Sequence, residues 1–138
     1  MIVVAIIGIT AAIATSQYQD YIMRTRWADN FQSVAQLKLA IADCVQTQVG
    51  SFSTPHDCGT AAGLLAGGYV PVGYTLPTPN YGSQVALLSG SGVLRIVGTA
   101  RAGGCTVEIE PSLTQDRISW SYVNAAGGCG RAKTGVGT

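Results

Sequence analysis

The hydrophobic and polar positions change period along the chain. Met1–Ala14 (MIVVAIIGITAAIA) carries no charge and places apolar residues all round a helix, so every face calls for burial. At about 1.5 Å per residue this stretch rises only about 21 Å, short of a hydrocarbon core of about 30 Å. Alone it reads as the stub of a membrane span. Beyond Ser16 the pattern turns amphipathic. Phe31, Val34, Leu37 with Lys38, Ile41 and Val45 recur at three- and four-residue steps, while Asp20, Arg24, Asp29, Gln36 and Asp43 supply the polar side. The spacing predicts one helix from Met1 to about Val49, with Asp20 and Arg24 paired four residues apart for a few tenths of a kcal/mol.

After Gly50 the period falls to two. Gln84–Leu88, Val93–Gly98, Thr106–Glu110 and Ile118–Tyr122 read as antiparallel strands, with turns at Ser89–Gly92 and Pro111–Asp116. The alternating face Val107, Ile109, Ile118, Trp120, Tyr122 is expected to pack on the amphipathic half of the helix. A short helical turn is expected near Ala61–Leu65 and an irregular tail over Gly127–Thr138. Glycine and proline mark the same division. Only one of 18 glycines, Gly8, and none of the five prolines precede Gly50. The predicted fold is α+β: a long N-terminal helix, half projecting and half packed, with a sheet of about four strands. It divides into an apolar helix segment 1–16, an amphipathic helix half 17–49, a connection 50–83, and a sheet with a cysteine-bracketed end 84–138.

Length adds a constraint. A helix to Val49 would be roughly 70 Å long, whereas the remaining residues form a globule with a radius of gyration of about 12 Å. About half the helix must project and find lipid or other copies of itself. A buried core helix fails on the same ground. A cleaved signal peptide is disfavoured, because no basic stretch precedes Met1–Ala14 and the helical pattern runs through the small-residue site Ala12-Ile13-Ala14 without a break.

Composition and charge narrow the function. Charged residues are 11% and apolar ones 47%, which excludes a disordered chain. A net charge of +1 excludes a strongly basic nucleic-acid binder. Arg131 and Lys133 make only a small basic spot, too little to support DNA binding. The four cysteines allow three connectivities. Nearest neighbours, Cys44–Cys58 and Cys105–Cys129, are the preferred pairs, each contributing roughly 3 kcal/mol and implying an oxidising compartment. No CxxC spacing suggests a metal, no cofactor motif is present, and no GxGxxG, phosphate loop, GxSxG or HExxH signals an enzyme. His56-Asp57-Cys58 reads as a loop histidine beside a disulfide, and Glu108 and Glu110 read as a solvated strand face rather than paired catalytic carboxylates.

MIVVAIIGITAAIATSQYQDY, Met1–Tyr21, closely resembles the N-terminal helix of type IVa pilins. The resemblance is strong over about the first 30 residues and architectural beyond them. It implies a structural subunit of a bacterial surface filament serving motility, adhesion or DNA uptake. A minor pilin or a pseudopilin at the tip or initiating complex is the alternative, although the acidic calcium loop common in secretion pseudopilins is missing. It implies a head in the periplasm before assembly, a helix in the inner membrane, and maturation by a prepilin peptidase. That enzyme exposes a methylated Phe followed four residues later by a Glu, both upstream of Met1. About six further residues would bring the span to bilayer length. It also implies an ATP-driven assembly machine and a homo-oligomeric open helix of copies. Met1, Ile2, Val3, Val4, Ala5, Ile6, Ile7, Gly8, Ile9, Ala11, Ala12, Ile13 and Ala14 would pack in the filament core. Ser16 stands where the family usually has a proline, and Thr10 and Thr15 replace aliphatic residues. Gly8, Thr10, Thr15 and Ser16 are therefore the positions at which the helix would unwind or bend. In the late strand Ile118-Ser119-Trp120, Tyr122 stands where the family commonly has a cysteine, which makes Cys105–Cys129 a larger bracket. Thr138, like Ser89 and Ser91, is a candidate glycosylation position.

Overall fold

The structure, a computed structural model, describes residues 1–114, 117–125 and 129–137. Its first two helices carry the amphipathic stretch: α1 spans Ile2–Ser33 and α2 spans Ala35–Thr47. The expected single helix is thus interrupted once, at Val34. There the Val34 N–H turns to the Gln32 carbonyl, and the Ser33 hydroxyl donates to the Asn30 backbone carbonyl. Helical bonding resumes at once, with Lys38 N–H donating to the Val34 carbonyl. The helix ends where Val49 and Gly50 both take positive φ, 53° and 85°.

After the helix, α3 (Ala61–Ala66) is a short turn capped by the Thr60 hydroxyl, which accepts from Gly63 N–H. The strands β1 (Gly82–Leu88), β2 (Val93–Gly98), β3 (Thr106–Thr114) and β4 (Arg117–Asn124) form one antiparallel sheet in the order β1-β2-β3-β4. A single 3-10 turn, Ala100–Ala102, links β2 to β3, and α4 (Arg131–Thr134) follows the sheet.

Three further sequence expectations are corrected. Pro111 does not open a turn. It sits inside β3 opposite Trp120, and Leu113 opposite Ile118. The β2–β3 ladder ends at Ile109, so a residue without an N–H at position 111 leaves no gap on the β2 side. Strand pairing continues to Thr114 and Arg117, leaving only positions 115 and 116, outside the described residues, between the strands. The tail is not irregular throughout either. Arg131–Thr134 is helical, closed by Gly135 at φ 78°. The expected Asp20–Arg24 pair is also replaced: Arg24 Nε donates to the Ala132 carbonyl at 2.8 Å, satisfying a helix-end acceptor of α4.

The core lies between the helix and one face of the sheet. Val34, Leu37, Ile41 and Val45 are fully buried against Leu94, Ile96, Val107 and Ile109. Ile118, Trp120 and Tyr122 pack at its margin, half-buried, because β4 is an edge strand. On the opposite face Arg95 lies across from Glu108 and pairs with it at 2.6 Å. Cys44 bonds to Cys58, holding the loop after α2 to the helix, and Cys105 bonds to Cys129, tying the approach to α4 back to β3.

Candidate functional site

The helix is held to the head by a few polar contacts set among apolar ones. Trp27 is fully buried and its Nε1–H donates to the Ala102 carbonyl at 3.0 Å. The Trp27 ring stacks at a tilt on Phe31, centroids 5.5 Å apart, and Phe31 meets Tyr122 edge-on at 5.2 Å. Gly98 makes room for the indole: a Cβ there would stand 2.8 Å from Trp27 Cζ2. One turn further, the side-chain Oδ1 of the buried Asn30 accepts from Tyr81 N–H at 3.1 Å. Lys38 Nζ donates to the Tyr122 hydroxyl at 2.9 Å and lies over the Trp120 and Tyr122 rings at 5.1 and 5.2 Å. Sequence reading missed this latch. The signal was there, because Trp27 extends the Phe31, Val34 series one turn toward the N-terminus.

On the N-terminal side of the latch the helix leaves the head. Every residue from Met1 to Gln19 is exposed, and the 18-residue apolar window within α1 has no buried residue. Ile2–Gln19 would rise about 27 Å, close to the thickness of a hydrocarbon core. By length and composition α1 is thus a candidate membrane span. Ile2, Val3, Val4, Ile6, Ile7, Ile9 and Ile13 are all at least half exposed.

The four bend candidates lie within unbroken helix. Thr10 Oγ1 donates to the Ile6 and Ile7 carbonyls, Thr15 Oγ1 to Ala11 and Ser16 Oγ to Ile13. These bonds internalise the hydroxyls, so the polar atoms need no water on an otherwise apolar rod. At Gly8, an added Cβ would meet nothing within 4 Å. Nothing in the isolated chain therefore requires a glycine there.

The remaining candidates resolve into structural roles. His56 N–H donates to Gln48 Oε1, Asp57 Oδ1 accepts from the N–H groups of Gly59 and Gly90, and Cys58 is in a disulfide. Glu108 is engaged by Arg95. Among the described residues no cluster of three or more His, Cys, Asp or Glu could hold a metal. Burial raises the Tyr74 phenol above its ordinary range, an effect of desolvation alone. Thr138 lies outside the described residues.

No protein-family model matches the chain, and no solved structure matches it. Curated proteins do. A fimbrial protein of Pseudomonas aeruginosa is 37% identical over 115 residues, 82% of this chain and 62% of that protein. A type IV major fimbrial protein FimA of Dichelobacter nodosus is 53% identical over 45 residues, 33% of this chain and 29% of that protein. Fimbrial protein EcpC of Eikenella corrodens is 29% identical over 134 residues, 91% of this chain and 87% of that protein. The chain thus spans about three fifths of the length of the Pseudomonas relative. With a long N-terminal helix packed on a four-stranded antiparallel sheet, and with fimbrial proteins as its relatives, the chain belongs to the type IV pilin family.

Proposed function

We propose that the chain is a structural subunit that polymerises, through its projecting apolar helix, into a helical filament on the bacterial surface. The observation that carries this reading is the wholly exposed apolar stretch of α1, which no part of the head can reach to cover. Before assembly the stretch sits in the inner membrane with the disulfide-bonded head in the periplasm. Prepilin peptidase and an assembly ATPase act on the subunit there. During assembly the stretch moves from lipid into a bundle of identical helices. Lipid is already apolar, so the gain comes from close packing at small residues (Ala5, Gly8, Ala11, Ala12, Ala14) rather than from further hydrophobic burial. Copies related head to tail by a rotation that does not close make an open helix. The chain acts by assembly and not by catalysis, and needs no cofactor.

The test is to express the chain in a pilin-deleted host with an intact assembly machine and to analyse the sheared surface fraction by electron microscopy and intact mass. Filaments dominated by this chain, four hydrogens lighter than its fully reduced form, are expected. Retention of the whole population in the membrane fraction would overturn the reading.

A further inference from the structure

The cationic residues are distributed unevenly, and their place coincides with the end of the head from which the apolar helix leaves. Arg24 and Arg26 lie on α1 roughly on opposite sides of the helix. Arg24 reaches toward α4, where its Nε bonds the Ala132 carbonyl. Arg26 bonds the Arg101 carbonyl and stacks over Tyr81 at 5.4 Å. The 3-10 turn carries Arg101, and α4 carries Arg131 and Lys133. Five of the chain's eight Lys and Arg residues thus ring the exit of the helix. Of the seven acidic residues, only Asp20 and Asp29 lie on that stretch of α1, and Asp29 is engaged by Asn80.

Just outside this ring stand two exposed tyrosines, Tyr18 and Tyr21. The order along the helix is therefore apolar rod, tyrosines, cations. It matches the order of environments met on leaving a bilayer: hydrocarbon, interface, then charged headgroup surface. Arg24 lies about 15 Å along the axis from Ala14. A headgroup layer of roughly 5–8 Å and a Debye length of about 8–10 Å bring that height within reach of the surface potential of anionic lipids.

We infer that the collar formed by Arg24, Arg26, Arg101, Arg131 and Lys133 docks the head on anionic phospholipid headgroups while the subunit waits in the membrane. The docked collar fixes the height and orientation at which the subunit is presented for assembly. It is released when the subunit leaves the lipid. This inference rests on the membrane-anchored state proposed above. Charge complementarity and continuity with the span select a lipid surface over an acidic protein partner.

The test uses the full chain incorporated into vesicles of phosphatidylcholine, or of phosphatidylcholine mixed with phosphatidylglycerol. Flotation reads anchoring. Amide exchange at Ala102–Gly104 and Lys133–Gly135, whose N–H groups are hydrogen-bonded, reads the collar. Several-fold slower exchange in the anionic vesicles is expected. The slowing should disappear at high salt and in the Arg101→Gln/Arg131→Gln double variant, while flotation and exchange in β2 and β3 stay unchanged. Neither exposed side chain makes a hydrogen bond or ion pair among the described residues, so the variant leaves the head intact. Equal exchange in the two vesicle types, with flotation kept, would overturn the collar and leave anchoring standing. Slowing that ignores lipid charge and rises with protein density would assign the collar to a second copy and also overturn it. Failure to float on either vesicle would remove the anchored state and the inference with it.

Discussion

Val49 holds a φ of 53°, a left-handed conformation that suits glycine or asparagine and strains a β-branched residue. Its side chain is wholly exposed, so no packing compensates. Val49→Asn is therefore expected to stabilise the head by about 1 kcal/mol, read as a higher midpoint in denaturant at unchanged slope. Trp27 is the opposite case, a large side chain with nothing wasted: the ring is buried, the N–H is satisfied, and Gly98 leaves its space. Trp27→Ala should cost about 3–5 kcal/mol and loosen the helix from the 3-10 turn. Gly98→Ala should destabilise as well, because the added Cβ also stands 3.0 Å from the Cys105 carbonyl and neither neighbour is free to move.

At the scale of elements, the last disulfide and the last helix form one unit. Cys129 directly precedes Gly130, the N-cap of α4, and α4 in turn accepts Arg24 from α1. Cys129→Ser is expected to destabilise the head by about 2–5 kcal/mol and to speed amide exchange in α4 before the sheet opens. An unchanged melting temperature of the oxidised protein would contradict this. Much of the element plan was legible in the sequence because burial here follows simple periods. Phe31 to Val45 step at helical spacing, and Thr106–Glu110 and Ile118–Tyr122 alternate cleanly. What was not legible depended on tertiary partners. Pro111 signals a turn unless one knows that β2 has already ended beside it. Arg131–Thr134 carries too little local preference to declare a helix, and it forms where Arg24 and the disulfide hold it. The break at Val34, where the N–H turns to the Gln32 carbonyl, falls inside an apolar series that runs on without a change of period.

For the whole molecule, the decisive feature is a division of one helix between two environments. The half beyond Asp20 is consumed by the head, and the half before it is left bare. The exposure of Met1–Ala14 was legible because an uncharged, all-round apolar helix has no place on a head this small. What that stretch packs against, on the filament proposed above, lies outside a single chain and was not legible from it. Gly8 offers a test that separates folding from the assembly proposed above. Its missing side chain does nothing for the isolated subunit, so Gly8→Ala should leave the head's stability unchanged, and Gly8→Leu should fold normally yet block piliation, seen as subunit retained in the membrane fraction. Normal piliation of Gly8→Leu would refute close helix packing at that position. The most direct test of the central claim is an electron cryomicroscopy reconstruction of the sheared filaments. Ile2–Ser16 is expected on the filament axis, with neighbouring helices about 8–10 Å away and the sheets outside. A filament whose centre is formed by the heads, with the apolar helices at its periphery, would contradict it.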